Sequence, residues 1–194
     1  MNRPDRRAAR LLALWLATCG SAAAAVARTS DAATGRVTWA WHDDASRITL
    51  AQLLPDQVRA FFQGRGFSAA QSERVAAGCV FQLVIRNEAP AAAAMTVELP
   101  AWRVERAGGD AGSPRLAAAW EAEWVRLGVA SGPRVAFRWA LFPARQRFAP
   151  GDWNMGMLTF DLAHGTTFDL HATWHAGGQP RAVPFRDLVC AEEG

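Results

Sequence analysis

The sequence predicts a mainly β protein, an antiparallel immunoglobulin-like β-sandwich carrying two or three short added α-helices. Three observations point there. Short apolar or alternating runs recur, punctuated by Pro143, Pro150-Gly151, Gly165 and Gly177-Gly178, the spacing of strands joined by turns. Cys79 opens one such run and Cys190 closes another, an even pair suited to a long-range disulfide. Helical signals are confined to two stretches, before Cys79 and between Ser113 and Gly128.

The first 27 residues read as a secretory leader. Arg3, Arg6, Arg7 and Arg10 precede the apolar core Leu11–Thr18, and Ala25-Val26-Ala27 supplies an A-x-A cleavage pattern. The apolar run is too short for a membrane span. The mature chain is expected to begin near Arg28 as a single domain over 28–194. Two other readings stay open: Leu16-Ala17-Thr18-Cys19-Gly20 resembles a lipobox that would anchor the chain through Cys19, and Arg6-Arg7 is a twin-arginine pair.

Residues 28–35 are small and polar, a flexible lead-in. Val37-Thr38-Trp39-Ala40-Trp41 alternates as a first strand. A helical stretch follows, with Thr49-x-x-Gln52 as a capping box, Pro55 in the first turn, Val58, Phe61 and Phe62 as its apolar face, and Gly64 and Gly66 at its end. Ser68-x-x-Gln71 caps a second helix that closes at Gly78. Cys79–Ile85 is a nearly continuous apolar run, a central strand. Met95-x-Val97-x-Leu99 alternates, and Trp102–Val104 extends it. Ser113 and Pro114 open a helix with Leu116, Trp120, Trp124 and Leu127 in one stripe, stopped by Gly128. The remaining segments, Arg134–Phe142, Trp153–Leu162, Phe168–His175 and Ala182–Cys190, read as strands.

Val84-Ile85-Arg86-Asn87 followed by Met95-x-Val97-x-Leu99 resembles paired strands of bacterial exported immunoglobulin-like domains. Phe148-x-Pro150-Gly151, Gly156-x-Leu158-x-Phe160 and Phe168-x-Leu170 are similar to a later hairpin in them. The resemblance spans residues 79–190 and implies a binding or accessory module rather than an enzyme.

Composition excludes several chemistries. All 21 basic residues are arginine, and Lys and Tyr are absent. No Schiff-base or P-loop lysine and no tyrosine acid is available. The formal charge of +3 resides in the leader, where four arginines oppose Asp5, leaving residues 28–194 near neutral. Nothing in that balance calls for nucleic acid. No serine lies in G-x-S-x-G. His42-Asp43-Asp44 joins a base to carboxylates, though a polar turn after a strand explains it.

One constellation suggests a ligand. If Trp153–Leu162 and Phe168–His175 form a hairpin through His164-Gly165-Thr166, Leu162 pairs with Phe168 and Phe160 with Leu170. Met155 then faces His175, Met157 faces Thr173 and Thr159 faces His171. Met155, Met157, His171 and His175 would share one non-core patch, a thioether–imidazole set suited to copper. Asp161 and Asp169 would lie opposite each other. Among the tryptophans, Trp39, Trp41 and Trp153 are expected to be exposed, while Trp120, Trp124, Trp139 and Trp174 fall on apolar faces. The leading functional expectation is an exported, non-enzymatic binding or accessory module partnered by another envelope protein. The alternative is a periplasmic copper-binding or copper-delivery protein using those four residues.

Overall fold

The computed structural model describes residues 25–90, 93–109 and 111–193. The expected leader lies largely outside them, and Cys19 with it. Among the described residues eleven strands form two antiparallel sheets. The first contains, in order across the sheet, β1 (Ala27–Ser30), β2 (Val37–His42), β3 (Ser46–Gln52), β4 (Cys79–Asn87) and β9 (Trp153–Phe160). The second is built around β10 (Thr167–Ala176). One edge of β10 pairs along its length with β11 (Gln179–Val189). Its other edge takes β5 (Met95–Glu98) and β6 (Arg103–Arg106) end to end, separated by the 3-10 turn Leu99–Ala101. Short β8 (Arg145–Phe148) and β7 (Ala111–Gly112) extend β5 and β6 outward.

Strand alternation builds the main core. Ile48, Leu50, Phe81, Leu83 and Ile85 of the first sheet face Met95, Val97, Leu170, Trp174 and Phe185 of the second, all at most 2% exposed. The Cys79–Cys190 disulfide closes a separation of 111 residues and joins the start of β4 to the residue after β11. By chain entropy such a closure stabilises the fold by up to about 4–5 kcal/mol. Gln52, 5% exposed, ties the sheets a second time. Its Oε1 accepts from the Val37 amide at 2.8 Å, and its Nε2 donates to the Val189 carbonyl at 2.6 Å.

Four α-helices among the described residues, more than expected, pack on the outer face of the first sheet. α1 (Pro55–Gln63) and α2 (Ala69–Ala76) lie between β3 and β4. α2 has the reciprocal cap that its sequence predicts, Gln71 N–H to Ser68 Oγ at 3.2 Å and Ser68 N–H to Gln71 Oε1 at 2.9 Å. α3 (Ala117–Arg126) and α4 (Ser131–Ala140) precede β8. Their buried faces form a second core of Val58, Phe62, Trp120, Trp124 and Phe137 over Val80 and Met157 of the sheet.

Several expectations need correction. Thr49–Gln52 belongs to strand β3 rather than to a helix start, because Ile48 and Leu50 are needed inside the sandwich. The residues from Arg28 include an edge strand, β1, instead of a free lead-in. Helix α3 is capped at Leu116, three residues past Ser113, because the Arg115 amide donates to Thr159 O at 2.7 Å and keeps the chain extended until then. Most consequential, Arg134–Phe142 is largely helix α4. Val135, Phe137, Trp139 and Leu141 fit a strand's period of two, yet they also form two i, i+4 pairs. Phe137 and Leu141 fill the second core, which turns Val135 and Trp139 outward.

Candidate functional site

The sequence-predicted copper set is not brought together. β9 pairs with β4 in the first sheet, whereas β10 lies in the second, so the two strands are not a hairpin. Phe160 and Leu170 both point inward, at 2% and 0% exposure. They do so from opposite sheets, which sends their alternate neighbours to opposite outer surfaces. Met155 is exposed on the first sheet, and Met157 is buried beneath the helices. His171 and His175 lie on the outer side of the second sheet, where His171 Nε2 meets Glu105 Oε2 at 3.1 Å. Four ligands split between two faces of a sandwich cannot share one ion. Among the described residues no group of three or more His, Cys, Asp or Glu is placed to hold a metal.

The two aspartates separate for the same reason. Asp161 accepts from Arg115 at 3.0 Å, and Asp169 accepts from Arg186 at 3.1 Å and from the Asp187 amide at 2.9 Å. His42-Asp43-Asp44 forms the β2–β3 turn, with Asp43 Oδ1 accepting from the amides of Ala45 and Ser46 at 2.9 and 2.7 Å.

A cavity of about 500 Å³ opens beside Cys79, lined by Arg74, Arg115, Trp120, Thr159 and Asp161. Its polar groups are already engaged with one another. Glu123, 8% exposed, accepts from Arg74 Nε at 2.6 Å and from Arg115. The Arg115 guanidinium also stacks 3.7 Å above the Trp120 ring, whose Nε1 donates to Thr159 Oγ1 at 2.8 Å. Arg74 first, and Arg115 with it, hold the Glu123 carboxyl below the usual carboxylate range against the opposing effect of burial. A carboxylate kept ionised between two arginines is a poor proton donor. The cluster fastens α2, α3 and the end of β9 together.

The surface that stands out is apolar. Trp139 is 83% exposed, Trp153 52% and Met155 45%. By contrast Trp39, Trp41, Trp102, Trp120, Trp124 and Trp174 are buried. The expectation for Trp39 and Trp41 is therefore reversed, and the exposed indole that the sequence reading missed is Trp139. Its signal is the Val135/Trp139 spacing behind Pro133, which is visible only if the segment is read as a helix.

Trp153 and Met155 alternate along β9 on the outer face of the first sheet, beside Arg86 and Val84 of β4. The helices cover the other end of this face at Val80 and Met157 and leave this end open. Trp139, at the last turn of α4, and Met155 wall a groove of about 370 Å³ floored by Leu141, Phe142 and Pro143, with Arg138 at its margin. The Arg86 guanidinium lies 5.8 Å from the Trp153 ring centroid. Gly156 lets Phe142 cross closely, since a Cβ there would fall 2.5 Å from the Phe142 nitrogen. The groove floor is thus held against β9. Comparisons with known protein families, with curated proteins and with solved structures find no match.

Proposed function

We propose that the protein is an exported, non-enzymatic binding or accessory module that holds another envelope protein on the Trp139–Met155–Trp153 face. The observation that carries this reading is the 83% exposure of Trp139 on a chain that buries six other tryptophans. A contiguous apolar patch of large side chains on an otherwise well-packed domain marks a recognition surface. Tryptophan and arginine are the side chains that most often dominate protein interfaces, and Met155 adds an adaptable thioether. The Cys79–Cys190 bridge supports an oxidising compartment. Among the described residues no helix is long and apolar enough to cross a membrane. The resemblance of residues 79–190 to exported immunoglobulin-like domains points the same way.

The test is retention of a partner from envelope extract by the tagged protein, compared with two variants. Trp139→Ala/Trp153→Ala should lose a protein that the parent retains, with an unchanged melting temperature. His175→Ala, on the opposite face, should retain it. Equal retention by all three would overturn the assignment of the face.

A further inference from the structure

The docking reading leaves the partner's chemistry open, and the groove itself narrows it. We infer that the groove between Trp139 and Met155 receives an apolar side chain of an extended, acidic segment of the partner protein, whose carboxylates pair with Arg138 and Arg86. This rests on the docking role proposed above.

Charge is the first reason. Among the described residues the groove's one charged lining residue is Arg138, and no carboxylate lines it. Arg138 is 59% exposed, and its nearest acid, Glu121, is 4.0 Å away with its other oxygen already accepting from Arg134 at 2.9 Å. Arg86 has no carboxylate partner among the described residues and sits over Trp153. Arg138 therefore borders the groove, and Arg86 borders the Met155–Trp153 row that continues from it, on a chain that is near neutral over 28–194. A partner carboxylate would give each a charge-assisted, bidentate contact. A second copy of this chain docking by the same face would bring Arg138 again and no carboxylate from the groove lining to meet it.

Shape is the second reason. The site is concave and walled on one side by a helix end, which suits an inserted side chain better than a flat lipid surface. The third reason is the backbone. The Met157 carbonyl accepts from the Phe142 amide at 2.9 Å on the side of β9 away from β4. Met155 and Trp153 share that parity, so their main-chain groups also face away from β4. The Met155 amide is capped there only by the Asn154 side chain, Oδ1 at 2.8 Å. Displacing that cap would open a donor to an extended segment alongside the apolar row, the geometry of strand addition.

Selection of phage-displayed random linear peptides on the folded, disulfide-bonded protein, immobilised through its N-terminus, tests this. Enriched peptides should combine Asp or Glu with a large apolar residue. Their affinity should fall about tenfold or more in Trp139→Ala and in Arg138→Gln/Arg86→Gln, and should weaken with added salt. Melting temperatures of the variants report that each is folded. Enriched peptides that need Trp139 but neither acidic residues nor the arginines would overturn the acidic segment and leave the docking face standing. Peptides indifferent to Trp139 would overturn both. Failure to enrich any sequence would overturn the linear segment, while partner retention judges the face separately. Trp139-dependent binding to phosphatidylglycerol vesicles, or Trp139-dependent dimers in sedimentation, would replace the inferred occupant with lipid or a second copy.

Discussion

Phe160 and Phe168 meet across the sandwich, one from each sheet, with ring centroids 5.0 Å apart. The chain between them crosses from sheet to sheet, where Gly165, at φ 71°, donates its amide to Cys190 O at 3.2 Å. This crossing decides which surfaces β9 and β10 present. Both phenylalanines are 2% exposed, so Phe168→Ala should lower the unfolding free energy by about 3–5 kcal/mol. Urea denaturation measures it. A loss within about 0.5 kcal/mol, the scale of a surface change, would be incompatible with an inter-sheet contact.

Two tryptophans of the helical layer should behave oppositely. Trp124 is fully buried against Trp120 and Phe67, and Trp124→Ala should cost about 3–5 kcal/mol. Trp139→Ala should change stability by no more than about 0.5 kcal/mol, and should remove the larger part of the acrylamide-accessible fluorescence, leaving that of Trp153. A large stability loss in Trp139→Ala would mean that its indole belongs to the core.

Acid should loosen the helical layer through Glu123. Its carboxyl is held below the ordinary value of 4.5 in the folded chain. A depressed folded value contributes stability that is present above the unfolded pKa and lost as pH falls through the folded one. The parent should therefore lose stability below pH 4.5, and Glu123→Gln should flatten part of that acid limb while lowering stability at neutral pH. Denaturation curves across this range check it. Identical pH dependence in parent and variant would contradict the role given to Arg74 and Arg115.

If the expected leader is removed, the packing of its last residues favours an earlier cut. Val26 packs against the main core, and Ala27 pairs with Ala40 at the start of β1. Cleavage after Ala27 would remove both. Ala23-Ala24-Ala25 supplies an alternative A-x-A pattern that keeps them, so the mature chain should begin at Val26. Intact mass of the protein recovered from the cell envelope distinguishes this from a start at Arg28, an acylated Cys19 or an uncleaved chain.

Much of the architecture is legible from local signals. The reciprocal cap of Ser68 and Gln71, the apolar run from Cys79 and the paired cysteines all reappear in the folded chain. Strand partnership is not local. Phe160 and Leu170 would point to one side whether their strands lay side by side in a hairpin or face to face across a core. Only the second arrangement divides Met155 from His175. The exposed apolar face is hidden by a different ambiguity. Val135, Phe137, Trp139 and Leu141 satisfy both periods, and the choice is made by Phe62, Phe67 and Trp124, which need Phe137 between them. Thr49 and Gln52 mimic a helix cap, while Gln52 is in fact engaged by Val37 and Val189.

The role of Trp139 is tested most directly by photo-crosslinking in living cells from position 135, its exposed i, i+4 neighbour on α4, with Trp139 itself left in place. A discrete adduct with another envelope protein is expected from position 135 and not from position 175 on the opposite face, and it should vanish when Trp139→Ala is added. No adduct from position 135 would contradict a docking role for this surface, and one that persists without the Trp139 indole would contradict the role given to Trp139.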